Sequence, residues 1–197
     1  MLAAVILSAG ASSRMGRPKA LLPYREGTFL EHLIEATRHP LIGETRIVLG
    51  AGAEDIRTIA KIDPSIVVLN AKWEQGQLSS IWAGLRSLEG VATDGIVLCP
   101  VDHPLVSARL VGDLVEQFYE GKKPIVLPTY KGRRGHPVIF SSALYPNLLA
   151  APADKGARAV VWAHAADILE VPTDEEGVVL NINDPDMLKR AIEPDAK

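Results

Sequence analysis

Short, unbroken runs of Val, Ile and Leu, separated by stretches with helical spacing, constrain this chain's fold more than any other feature. The runs are Ala3–Ala9, Arg46–Leu49, Ile66–Leu69 and Gly95–Leu98. A strand with one wet face alternates apolar and polar residues, whereas an unbroken run suits a strand covered on both faces, as in a parallel sheet. Between the first two runs, Thr28 to Glu31 form a capping box, followed by Leu30, Leu33 and Ile34 at helical spacing. A second helix is predicted from Ser79 or Ser80 through Trp82 and Leu85, and a third over Ser107–Tyr119. The βαβαβα order predicts an α/β fold, a doubly wound and mostly parallel sheet. In the second half, Pro124–Pro128 and His136–Phe140 read as two further strands around the basic turn Lys131–Gly135. Asp154 is expected to cap a helix running from Lys155 towards His164. Asp184 and Pro185 are expected to open another, over Asp186–Ile192. With no repeat or obvious linker, residues 1–197 are expected to form a single domain.

Composition excludes several classes of function. A formal net charge of -3 leaves no electrostatic footprint for nucleic acid or an anionic membrane surface. The apolar start Met1–Gly10 has no basic region before it and is too short to cross a bilayer, so a buried first strand explains it better than a leader. Cys99 is the only cysteine, which rules out an internal disulfide and fits a reducing cytoplasm.

The chemistry concentrates in Leu7–Lys19, directly after the first predicted strand, where open α/β sheets bind ligands. Gly10 and Gly16 allow main chain to approach a phosphate closely, Ser12 and Ser13 add hydroxyls, and Arg14 and Lys19 add positive charge for a triphosphate. Two familiar phosphate loops are excluded by spacing. Gly16 is followed by Arg17 and Lys19 by Ala20, so there is no Gly-Lys-Ser/Thr; and Ser12 stands where a dinucleotide fingerprint needs its second glycine.

A second element is Asp102, a lone carboxylate after the run that starts at Gly95. At the carboxyl end of a strand it would face the same crevice. Mg²⁺ needs only one or two carboxylates besides water and phosphate oxygens. The alternative is that Asp102 only starts a turn before Pro104. Ser79 and Ser80 can cap a helix whose amino end attracts phosphate. Lys131–Pro137 offers basic side chains to an anionic acceptor, or is a solvated turn.

The first loop resembles the signature of the MobA-like nucleotidyltransferases, usually Leu-Ala-Ala-Gly-x-Ser-x-Arg-Met-Gly-x-x-Lys, and departs from it only at Ser8. Gly-Arg-Arg-Gly-His-Pro ending at Pro137, Phe140, and Asp154 to Arg158 are similar to elements of the molybdenum cofactor cytidylyltransferase branch, with Ala153 in a usual glycine position. The resemblance runs from Val5 to Leu188. It implies a Rossmann-like nucleotidyltransferase fold of the nucleotide-diphospho-sugar transferase type, with the nucleotide held by the N-terminal part and the acceptor by the C-terminal part. It also implies that Ser8, Ala9 and Gly10 lie against base and ribose, that Arg14 and Lys19 hold phosphates, and that Gln77, Ser79 and Ser80 contact the base or ribose. Asp102 would bind Mg²⁺, with Asn183 as second ligand; Asp184 is the alternative there, and helix capping by either residue stays open. His136, Asp154 and Arg158 would form a pterin-phosphate pocket, with a packed structural role for His136 also open.

The activity so implied is in-line transfer of CMP from CTP to the phosphate of molybdopterin, with pyrophosphate released and the product passed to a molybdoenzyme or its chaperone. Three alternatives remain at this point. One is a related transferase using GTP or a sugar phosphate. Another is a nucleotide-binding protein without turnover, and the last is a nicotinamide-dependent reductase, against which the glycine spacing speaks.

Overall fold

A computed structural model describes residues 1–192; the side chains of Arg14, Pro185 and 190–192 fall outside that description. The chain begins with β1 (Leu2–Ser8), then a two-stranded hairpin of β2 (Pro23–Tyr24) and β3 (Gly27–Thr28), and α1 (Phe29–Ala36). Next come β4 (Ile42–Leu49), α2 (Ala53–Ile59), β5 (Val67–Leu69), α3 (Gln77–Arg86), β6 (Gly95–Pro100) and α4 (Ala108–Gly121). The remainder is β7 (Ile125–Tyr130), β8 (Arg133–Arg134), β9 (Val138–Ser141), α5 (Tyr145–Leu149), α6 (Arg158–Ala163), β10 (Ile168–Pro172) and α7 (Pro185–Ile192).

The main sheet has eight strands in the order β10-β7-β9-β6-β1-β4-β5, with β8 on β7. The pairs β1–β4, β1–β6, β4–β5 and β7–β10 are parallel, as predicted for a mostly parallel sheet. Only β9 and the short β8 run the other way. The turn between β7 and β9 is too short for the crossover that a parallel pair needs. Strand order reverses at β1, with β4 on one side and β6 on the other, so a crevice opens beyond the carboxyl ends of those two strands.

Burial explains the unbroken apolar runs. Leu2 and Ile6 of β1 join one core cluster with Phe29, Leu33, Leu110 and Leu114 of α1 and α4. Ala3, Val5 and Leu7 point the opposite way, into a second cluster with Ile81, Leu85, Leu148 and Val160 of α3, α5 and α6. Helices cover both faces, and every residue of the central strands β1 and β6 is buried whichever way it points. Gly84 lets α3 close on β1: a Cβ there would stand 2.7 Å from Val5 Cγ1. No helix among the described residues is long and apolar enough to cross a membrane.

Several local expectations hold. Thr28 and Glu31 form the reciprocal capping box, Ser107 caps α4, and the Asp184 carboxylate accepts from Met187 N at 2.9 Å to start α7. Two need correcting. α3 starts at Gln77 behind Gly76, not at a serine, and the Ser79 hydroxyl turns back onto the carbonyls of Lys72 and Gly76. Asp154 caps nothing. Gly156 takes a φ of +63 and breaks the path, so the helix begins only at Arg158. The short α2 and the edge strand β10 carry too few buried residues to show in an apolar pattern, and sequence reasoning missed both.

Candidate active site

The loop after β1 is folded by its own polar groups. Ser12 sits in the left-handed region at φ 51, its carbonyl accepts from Met15 N, and its hydroxyl accepts from Lys19 N at 3.0 Å. Gly16, at φ +69, ends the short 3-10 turn Ser13–Met15. These contacts curl the loop so that Lys19 turns back towards the sheet. At the neighbouring strand, Val101 N donates to Leu7 O at 2.9 Å, which fixes the exit of β6 beside that of β1 and sets Asp102 next to the loop.

A distant segment completes the arrangement. Ile182 N donates to Asp102 O at 2.7 Å, and His136 N to Val178 O at 2.9 Å, so the strap after β10 crosses the end of the sheet. Gly177 and Gly135 permit that crossing. A Cβ on Gly177 would lie 2.6 Å from Leu105 Cβ, and one on Gly135 2.5 Å from Val178 O. The strap delivers Asn183, whose Oδ1 accepts from Lys19 Nζ at 2.6 Å, while Asp102 Oδ2 stands 3.7 Å from the same nitrogen. An ammonium group thus draws two hard oxygen donors to one point at the rim of the sheet.

This point lies in a cavity of about 300 Å³. Ser8, Ala9, Gly10, Ser12 and Ser13 line it from the loop, and Gln77 and Ser80 from the start of α3; Lys19, Asp102 and Asn183 close it. Trp73, Gly76, Ile56, Pro18 and Val101 also line it, and sequence reasoning named none of them. Their one readable signal was Trp73 just before the Gly-Gln-Leu-Ser-Ser stretch. Gly16 and Ser79 are not in the wall: the first shapes the loop and the second braces α3. Arg14 lies in the 3-10 turn, but its side chain is outside the described residues.

The expected acceptor residues do not join this cavity. Asp154 and Arg158 are exposed, and the Arg158 guanidinium stands 5.9 Å from the Trp162 ring. His136 packs its ring on that of His103, with centroids 4.4 Å apart. His103, next in sequence to Asp102, is itself buried. Burial, reinforced by His103, pushes the His136 pKa down to about 4. The folded chain therefore prefers neutral His136, whereas the unfolded chain protonates it near 6.5. Stability from this group is complete above about pH 6.5 and is lost as pH falls towards 4. His136→Gln should flatten the unfolding free energy over that window, as read by urea melts at stepped pH. A slope equal to the parent's would refute the assignment.

A mostly parallel sheet whose switch point gathers a glycine-rich loop, a lysine and an aspartate around a cavity of about 300 Å³ has the form of a nucleotidyltransferase. The model of the family described as MobA-like NTP transferase domain matches residues 4–168, and the chain belongs to that family. Among curated relatives, the Nicotine blue oxidoreductase of Paenarthrobacter nicotinovorans is 36% identical, over 78% of this chain and 78% of its own. A probable molybdenum cofactor guanylyltransferase of Mycobacterium avium (strain 104) is 29% identical, over 92% of this chain and 90% of its own. A solved structure of Rv0371c from Mycobacterium tuberculosis H37Rv superposes with a TM-score of 0.83 at 28% identity, covering 98% of this chain and 97% of that one. The same protein has also been solved in complex with manganese.

Proposed function

We propose that this chain transfers CMP from CTP to the phosphate of a molybdopterin-type acceptor, releasing pyrophosphate. The observation that carries a phosphate-transfer reading is the meeting of Lys19, Asp102 and Asn183 at one point of the cavity. The donor set fits a hard divalent cation. A carboxylate and an amide oxygen already face one positive charge. Among the described residues there is no group of three or more His, Cys, Asp or Glu side chains to hold a metal, so further ligands must come from water and phosphate, as Mg²⁺ prefers. Bound there, Mg²⁺ would neutralise phosphate charge.

The chain's own residues do the rest by positioning. Main chain at Ala9 and Gly10 and the hydroxyls of Ser12 and Ser13 cradle the nucleotide, and Lys19 holds phosphate oxygens on the leaving side. Arg14 is assigned to the same task from its place in the loop. The acceptor phosphate is anionic at neutral pH and attacks the α-phosphorus directly, so no protein nucleophile is required. Cys99 fits that absence: it is buried, and burial pushes its thiol up to about 12. His136, Asp154 and Arg158 are assigned to the acceptor side, with a cytoplasmic location and hand-over to a molybdoenzyme or its chaperone as part of the same reading.

CTP is chosen on the Gly-His-Pro and Gly-Ala-Arg elements; the guanylyltransferase name of the Mycobacterium avium relative favours GTP as the second reading. The Nicotine blue oxidoreductase name favours a third, although Ser12 stands where a dinucleotide loop needs glycine. Pyrophosphate release should be measured with molybdopterin, Mg²⁺ and each nucleoside triphosphate in turn, alongside NADPH consumption. Release with CTP is expected. Release with GTP alone would change the donor, and NADPH oxidation without pyrophosphate would overturn the transferase reading.

A further inference from the structure

The sheet order spreads the cavity along a line. Asp102 follows β6, the glycine-rich loop follows β1, Gly50 follows β4, and Trp73 follows β5, in the lateral order β6-β1-β4-β5. Three strand spacings separate the two ends, about 14 Å. That is the reach of an extended nucleotide. Asp102 and the Lys19 ammonium beside it belong to the β6 end, whereas Trp73, Gly76 and Gln77 follow β5 at the other.

Trp73 is the only aromatic residue lining the cavity among the described residues, and its position is enforced. A Cβ on Gly50 would stand 2.6 Å from Trp73 Cβ, 2.8 Å from its Cγ and 2.7 Å from Ala9 O. The root of the indole therefore lies directly on the main chain of residue 50, which only glycine allows. From the other side Asn70 clamps the segment. Its Nδ2 donates to Ser79 Oγ at 2.9 Å and to Ser80 Oγ at 3.0 Å, while its Oδ1 accepts from Lys72 N at 2.9 Å. The other two tryptophans do different work. Trp82 donates its Nε1 hydrogen to Leu148 O and packs against the second core cluster, and Trp162 stands exposed beside Arg158. The root of the Trp73 indole is held against Gly50, the residue is half-buried and lines the cavity, and its N–H makes no hydrogen bond to the described residues.

We infer that Trp73 is the platform on which the nucleotide base stacks. The inference rests on the nucleotide reading above and deepens it. Every base has a π-face, so stacking on a single ring adds affinity for all of them without choosing among them. Choice of base then belongs to edge contacts from Gln77, Ser80 and the main chain of the loop. Trp73 acts in binding, so its loss raises KM and leaves kcat at saturation near the parent value.

The test uses the full-length chain with Mg²⁺, following indole emission and calorimetric heat while CTP, GTP or tripolyphosphate is added. CTP and GTP should quench emission and tripolyphosphate should not. Trp73→Ala should weaken CTP binding by about tenfold or more while leaving tripolyphosphate affinity unchanged. Trp73→Phe, which keeps a ring and guards against a folding defect, should retain affinity within about threefold and lose the quench. Calorimetric CTP binding with unchanged parent emission would overturn the platform alone, as would parent-like CTP affinity in Trp73→Ala. Failure of the parent to bind any nucleotide would overturn the nucleotide reading itself, and the platform with it.

Discussion

Asp102→Asn is expected to lower kcat for nucleotidyl transfer by about 10²-fold or more, with the melting temperature within about 5 °C of the parent. The substitution keeps shape and removes one negative charge from the point where two oxygen donors meet. Asp102 is held by its main chain, through Ile182 N, and that contact survives the change. Its carboxylate lies 3.7 Å from Lys19 Nζ, beyond hydrogen-bond reach, so the isosteric change breaks no short contact between the two side chains. Turnover should be followed by pyrophosphate release across a Mg²⁺ titration. If Asp102 holds the cation, raising Mg²⁺ recovers part of the lost rate. Parent-level turnover at low Mg²⁺ would remove Asp102 from the site.

Lys19→Met separates two tasks that share one ammonium group. With phosphate present, the loss of a preorganised charge should cost about 10²–10³-fold in kcat/KM. Without nucleotide, the expected change has the opposite sign. Lys19 Nζ holds Asn183 Oδ1 at 2.6 Å and faces Asp102, so its charge stands between the two oxygens to which the proposed function assigns the cation. Removing that charge should strengthen Mn²⁺ binding to the nucleotide-free chain by about tenfold or more, read by electron paramagnetic resonance of free Mn²⁺. Methionine keeps an apolar stem for the part-buried path. Lys19→Arg should fail to restore turnover, because a planar fork cannot place one point charge between both oxygens. Equal Mn²⁺ affinity in parent and Lys19→Met would show that the ammonium does not compete with metal.

Much of this arrangement was readable before any coordinates. The unbroken runs at Ala3 and Gly95 signalled strands buried on both faces because every residue of β1 and β6 is buried and their large side chains divide between two cores. The loop from Ser8 to Lys19 stood out because glycines, hydroxyls and cations lie together in sequence directly after a strand, and its Ser8, Ala9, Gly10, Ser12, Ser13 and Lys19 do line the cavity. The acceptor residues were carried by motif alone. The structure places Asp154 and Arg158 on an exposed segment away from the cavity and His136 against a buried His103. The break at Gly156, which shortens the predicted helix to Arg158–Ala163, is a backbone choice that the flanking residues do not announce.

Local order and local chemistry were determined by the sequence itself: strand against helix, the capped starts of α1, α4 and α7, and the charge and glycine content of the loop after β1. These depend on neighbours a few residues apart, through periodicity and short hydrogen bonds. Only the tertiary structure decided that Asn183 meets Lys19 across 164 residues, that β9 runs antiparallel, and that Trp73 lies on Gly50 at the far end of the cleft. Those outcomes follow from strand order and strap crossing. The whole core's packing selects both, and no short stretch of the chain encodes them.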